Sequence, residues 1–304
     1  MSYTLGQLPS PRSTLAEKAD FMEYQCLVSE ENRYSVISGE NAMGVSYDEQ
    51  DLNSVDSYGF EEALSEIEDR GLYSGEKYPF ETTTDSLKIR NDIDSETLDI
   101  YKFLLLATRE NMGSGRIADG IDGAALFEKL CAIVLKSFFG DNCTSFVFGA
   151  GQDNNAPFRV KAQDLFNKLN EGNLVFRVPD GDNNSQKDGK LDVVVLIPFA
   201  DDKKGQFIAF GQCKTGTTWR SAISQLNPEV FCRTYCSPMP GFTPISVFMV
   251  AESFTENWEQ YQRSSNGILF DRSRIMSYLP EQIDADFLAK IKRWNMSVIE
   301  RFAN

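Results

Sequence analysis

The chain has 304 residues, 41% of them apolar and 25% charged, enough to build one large or two modest globular domains. It contains no histidine, which excludes HNH-type nucleases, Ser-His-Asp and Cys-His hydrolases and HD phosphohydrolases, all of which need an imidazole. Of its net charge of −15, residues 1–114 carry 23 acidic and 9 basic side chains, while the remaining residues carry 22 and 21, so almost all the acidity lies in the first part.

No apolar run approaches the ~20 residues of a membrane span, and the opening MSYTLGQLPSPRST lacks the basic-then-apolar order of a signal peptide. Both point to a cytoplasmic protein without a membrane partner. Six scattered cysteines read as reduced thiols. Cys232 and Cys236 are the one close pair, and without histidine they do not make a zinc site.

In chain order, Ser10-Pro11-Arg12-Ser13-Thr14 leads into a helix over Leu15–Val28. Residues 30–57 are polar and read as loops or short strands. Residues 60–70 form an acidic helix that Gly71 should end, and 78–89 are extended. Ser95–Arg109 is helical by its apolar spacing, with Ser95 as its cap. The run Asn111-Met112-Gly113-Ser114-Gly115 reads as a linker, dividing the chain into an acidic, mainly helical region, 1–114, and a second domain, 115–304. The acidic region is either a solvated surface or a partner-binding or regulatory module that restrains access to nucleic acid.

Asp122 caps a helix with the body AALFEKLCAIVLKSFF, apolar nearly all round and therefore buried. Its one acid, Glu128, has Ala124, Ala125, Cys131 and Ala132 three and four residues away, a small apolar face on which a carboxylate is costly without a cation. Residues 143–148 are a strand, 160–169 a helical insertion and 173–178 extended. A Gly-, Asn- and Asp-rich loop over 179–189 follows.

Next come two apolar runs, Val193–Phe199 and Gln206–Gly211, joined by a charged turn that ends in glycine: a hairpin. Folding it back sets Asp192, at the start of one strand, beside Gln212-Cys213-Lys214 at the end of the other. The period of two puts Gln212 and Lys214 on one face and Cys213 on the opposite one. A carboxylate and an amide oxygen are hard donors suited to Mg²⁺, and a neighbouring lysine stabilises phosphate charge or helps activate water. Beyond Lys214, a helix is expected over about 219–226 with Arg220 at its start, where a phosphate is one partner for it. Residues 244–252 form a buried strand, 257–263 a short helix, 268–275 an extended segment and 284–302 an amphipathic helix.

Gly189-Lys190-Leu191-Asp192 leading into a strand, with Phe210-Gly211-Gln212-Cys213-Lys214 closing the next, resembles the PD-(D/E)xK nuclease superfamily. More narrowly, it is similar to the Mrr-like restriction-endonuclease branch, where Q-x-K often replaces E-x-K. The resemblance covers about residues 117–255. It implies an α/β fold with a restriction-endonuclease-like core, a mixed central sheet flanked by helices, running helix, three strands, helix and strand. It also implies Mg²⁺-dependent cleavage of DNA phosphodiesters, with Mn²⁺ as a substitute. Asp192 takes the place of the metal ligand, Gln212 that of the second metal-site position and Lys214 that of the catalytic lysine, while Glu128 fits the acid on the first helix. Leu191 stands where the motif has proline, and Gln212 supplies one carboxylate fewer than the E-x-K form. The literal Pro179-Asp180 reads as a decoy, and Asp188 is a weaker alternative ligand. By analogy such a chain is the effector of a bacterial restriction or anti-phage system, with an ATPase or sensor subunit as partner and oligomerisation open. The alternative is a catalytically weak nuclease-fold module that binds DNA or a partner protein.

Overall fold

The computed structural model describes residues 5, 7–10, 12–42, 59–110, 112–149, 156–171, 175–176, 189–201 and 203–303. Pro179-Asp180 and Asp188 lie outside them.

Helix α1 (Leu15–Val28) opens with a reciprocal cap: the Glu17 N–H donates to Thr14 Oγ1 and the Thr14 N–H to Glu17 Oε2. Strand β1 (Arg33–Ser35) and helix α2 (Val36–Ala42) follow, then α3 (Phe60–Ser74). Gly71 does not end α3. There, a Cβ would meet the Tyr78 ring at 3.3 Å, so the glycine serves close packing, and the helix ends at Gly75 with its φ of 61°. Strands β2 (Phe80–Thr82) and β3 (Ser86–Ile89) complete a three-stranded antiparallel sheet with β1. Helix α4 (Ser95–Arg109) is capped by Asp94 rather than Ser95.

The short strands β4 (Ile117–Ala118) and β5 (Ile121–Asp122) lead into α5 (Gly123–Phe139), where Asp122 accepts from the N–H groups of Ala124 and Ala125 as its cap. Strand β6 (Thr144–Val147), helix α6 (Phe158–Leu169), β7 (Val175–Phe176), β8 (Val193–Ile197) and β9 (Phe207–Lys214) come next. After β9 there is no helix over 219–226. A single 3-10 turn, Thr218–Ser221, stands there, and α7 (Pro228–Tyr235) starts later because Asn227 caps it and Pro228 occupies its first turn. Then follow β10 (Cys236–Ser237), which pairs with β7, and β11 (Ile245–Val250), α8 (Trp258–Ser264) and β12 (Gly267–Phe270). The segment expected to run extended to residue 275 turns at Asp271, which caps α9 (Arg272–Ser277). Helix α10 (Ala285–Ala303) ends the described chain.

The fold is α/β around a mixed five-stranded sheet in the order β12-β11-β9-β8-β6. Strand β8 runs antiparallel to both neighbours, and β9, β11 and β12 run parallel. Alternation sorts its side chains. Val193, Val195, Ala209 and Cys213 share a core with Leu130 and Leu135 of α5. Val194, Ile208 and Phe210 pack with Leu165 and Phe166 of α6 and Phe231 of α7.

The α5-side core also takes in Phe21, Met22, Ile67, Phe103 and Leu105 from the first 114 residues, together with Phe287, Ile291 and Trp294 of α10. The Phe103 and Trp294 rings meet edge-on at 5.2 Å. Packing therefore runs unbroken past residue 114: the change there is one of charge, while the core is common to both parts.

Candidate active site at the end of the central hairpin

Strands β8 and β9 pair with Val193 opposite Gly211, which sets Asp192 at the open end beside Gln212-Cys213-Lys214. The join is not regular. The Asp192 N–H donates to Gly211 O at 2.9 Å although Val193 is Gly211's ladder partner, so two residues oppose one. Such a bulge re-aims a side chain, and alternation along β8 confirms it: Leu191 and Val194 fall on the α6–α7 side while Val193 falls on the α5 side. The Asp192 carboxylate turns to β9, where Oδ2 accepts the Cys213 N–H at 2.8 Å.

Cys213 points to α5 and meets Cys131 there. Burial pushes both thiols up, and the negative charges of Glu128 and Asp192 add to the rise. The two carboxylates thus bear on one thiol pair from α5 and from β8. Asp192 and Glu128 therefore lie on the same side of the sheet.

Gln212 and Lys214 occupy the opposite face of β9, as the period of two requires. Their partners in the parallel ladder are Phe248 and Val250, which pack with Trp219. The Gln212 side chain is fully buried, 0% exposed, and neither its Oε1 nor its Nε2 has a hydrogen-bond partner among the described residues. An amide left so costs about 1–3 kcal/mol, which marks it as a group awaiting a partner. Lys214 is half-buried at the last position of β9. The Asp192 carboxylate therefore does not lie on the face of Gln212. The bulge moves the carboxylate to the side of Glu128.

Among the described residues no three His, Cys, Asp or Glu side chains gather as a metal centre. Two carboxylates on one side of the sheet are still compatible with Mg²⁺, which takes one or two protein carboxylates and keeps several waters.

Sequence reasoning missed an ionic network beside this site. The Asp20 carboxylate receives Arg70 Nη1 at 2.7 Å, Arg109 Nε at 2.6 Å and Arg272 Nη1 at 2.9 Å. Glu23 joins through Arg70 at 3.0 Å and Tyr78 Oη at 2.7 Å. Burial alone would raise the Asp20 carboxyl, but the three guanidinium groups outweigh it and hold it well below the usual carboxylate range. Asp20 and Glu23 lie on a helix with no pronounced apolar stripe, so no pattern in the sequence separates them from solvated acids. Arg220, read from the sequence as a surface arginine or a phosphate contact at a helix start, donates to Glu252 Oε2 at 2.9 Å and lies over the Trp219 ring at 4.6 Å.

No family model, no curated protein and no solved structure matches the chain. Among the described residues no helix is long and apolar enough to cross a membrane.

Proposed function

We propose that this chain is a Mg²⁺-dependent endonuclease that hydrolyses DNA phosphodiester bonds, the cytoplasmic effector of a bacterial restriction or anti-phage system whose trigger comes from an ATPase or sensor partner. The observation that carries the reading is the fully buried, unpartnered Gln212 amide on the same strand end as Lys214, where the Cys213 N–H between them holds the Asp192 carboxylate. In support, α5, then β6, β8 and β9, then α7 and β11 repeat the succession of helix, three strands, helix and strand that the PD-(D/E)xK resemblance implies, with α6 and β7 as an insertion.

Asp192, oriented by the Cys213 N–H, and Glu128 on α5 would hold the metal ion. Bound there, Mg²⁺ or Mn²⁺ supplies Lewis-acid polarisation of the phosphate and a lowered pKa for water. The Lys214 ammonium stabilises the charge that builds on the phosphate. The Gln212 amide, otherwise unsatisfied, orients the attacking water or a phosphate oxygen beside Lys214.

A second reading, a nuclease-fold module that binds DNA or a protein without cutting, is favoured by the bulge that separates Asp192 from Gln212 and Lys214. Supercoiled plasmid incubated with the full chain and Mg²⁺ or Mn²⁺, with and without cell extract to supply a partner, tests both. Asp192→Asn and Lys214→Ala should each lower cleavage by at least ~100-fold, the usual scale for losing one electrostatic catalytic group. A double variant that cuts at the wild-type rate sinks the assignment, and DNA binding with no cleavage in any condition favours the second reading.

A further inference from the structure

A cavity of about 350 Å³ opens beyond the ends of β9 and β11. It starts close to the candidate site: Thr217 on its wall is three residues past Lys214, and Glu252 is two residues past Val250, the ladder partner of Lys214. It also lies on the face of Gln212 and Lys214, because Trp219, whose ring packs with Phe248 and Val250, underlies its wall.

Two features define what fits. The first is a flat cationic shelf. The Arg220 guanidinium lies on Trp219 with one face, is fixed at its edge by Glu252 and keeps 40% of its side chain exposed. Phe254 and Tyr261 flank the shelf, with the guanidinium 6.0 and 5.6 Å from their ring centres. A planar heteroaromatic ring stacks on such a surface, as bases do on guanidinium planes and aromatic side chains.

The second feature is the charge of the lining. Four carboxylates, those of Glu17, Glu66, Glu252 and Glu256, line it with two guanidinium groups, Arg109 and Arg220. Glu252 already accepts from Trp219 and Arg220, Glu66 from Arg70 and Thr255, and Glu17 from the Thr14 N–H, which leaves Glu256 and the remaining lone pairs to face a ligand. This balance repels phosphate and accepts hydrogen bonds. It suits a neutral ring with an exocyclic amino group, and it opposes the carbonyl edge of thymine.

We propose that this cavity receives a single amino-bearing nucleobase, adenine, cytosine or guanine rather than thymine, unstacked from the strand whose phosphate lies at Lys214. The inference rests on the nuclease reading for its substrate. Arg220 and Tyr261 provide the stacking surfaces, and the carboxylates accept from the amino group. Unstacking costs little in single-stranded or mismatched DNA, so such substrates should be bound best.

Saturation-transfer NMR on the full chain with adenosine, cytidine and thymidine tests the pocket without any cleavage. Base protons of adenosine and cytidine should give saturable signals, with thymidine at least about tenfold weaker, the scale of one lost hydrogen bond to a charged group. Arg220→Ala and Tyr261→Ala should each weaken the signals about tenfold. Arg220→Lys preserves the charge beside Glu252 and removes the flat shelf, so it should lose base binding at an unchanged melting temperature. Equal binding of the three nucleosides, signals indifferent to all three substitutions, or no signal at all would overturn the proposal. Plasmid cleavage by the same wild-type sample separates the two ideas. Cleavage without nucleoside binding removes the base pocket alone, and nucleoside binding without cleavage removes the nuclease reading alone.

Discussion

Arg272 donates from Nη1 to Asp20 Oδ1 at 2.9 Å, with both side chains fully buried and 252 positions apart in the chain. This contact ties the first helix to the segment that follows the central sheet. Removing one member leaves charge uncompensated in the interior, at about 3–5 kcal/mol. Asp20→Ala and Arg272→Ala should each lower stability by that amount in urea denaturation. The depressed Asp20 carboxyl also sets a pH dependence. Its contribution is complete above the unfolded value near 3.8 and is lost as the pH falls through the lower folded value. Asp20→Asn should therefore flatten the acid limb of the stability curve below about pH 4.

The shared core makes a second prediction. A chain beginning at Gly115 lacks α4, and Trp294 loses the Phe103 ring that meets it at 5.2 Å. Arg272 loses Asp20, Glu23 and the Thr108 hydroxyl as well. The truncation should be molten or insoluble, read by near-ultraviolet dichroism and limited proteolysis. A truncation with a cooperative melt would show that 115–304 folds alone, and only then can DNA affinity be compared with and without the acidic region.

Gln212 separates a waiting ligand from a defect. Gln212→Met removes two unpaired buried polar atoms at nearly constant volume, so the melting temperature should rise, by an amount equivalent to about 1–3 kcal/mol. If the amide serves chemistry, cleavage falls at the same time. Gln212→Glu places a carboxylate in a fully buried site, which is costly without a cation. That variant should melt lower than wild type in EDTA and recover with Mg²⁺. An indifferent response to Mg²⁺ would place Gln212 outside any metal site.

Asp271 caps α9 from a buried position, its Oδ1 accepting the Arg274 N–H at 3.0 Å. Burial pushes its carboxyl up to about 6. A raised carboxyl favours folding below the unfolded value and loses that contribution as the pH rises through the folded one. Asp271→Asn retains the cap and removes the charge. It should raise the melting temperature at pH 7–8, by the equivalent of at most ~3 kcal/mol, and change it little at pH 4. A uniform loss at both pH values would show that the ionised carboxylate is the better cap.

Periodicity and local chemistry made much of the framework legible. The Thr14 cap, helices Leu15–Val28 and Ser95–Arg109, the Asp122 cap and the β8–β9 hairpin all follow from interactions within a few residues. These contacts depend on neighbours in the chain, so the sequence expresses them directly. The same holds for the placement of Gln212 and Lys214 on one face of β9.

Other features depend on groups far apart in sequence, and only the tertiary structure decides them. The face taken by Asp192 turns on one extra residue opposite Gly211, a misfit between two strands that neither strand reveals alone. Asp20, Glu23 and Arg272 are indistinguishable by composition from surface charges. Their burial follows because α1, α3, α4 and α9 converge and neutralise one another away from water, where an unpaired charge would be too costly. The boundary at 114 was a true change of charge, but burial is settled by which surfaces meet. The cavity beside Arg220 likewise exists because the 3-10 turn after β9 and the segment after β11 come together with the start of α1, Glu66 of α3, Arg109 of α4 and Tyr261 of α8, a meeting of distant stretches that no local pattern encodes.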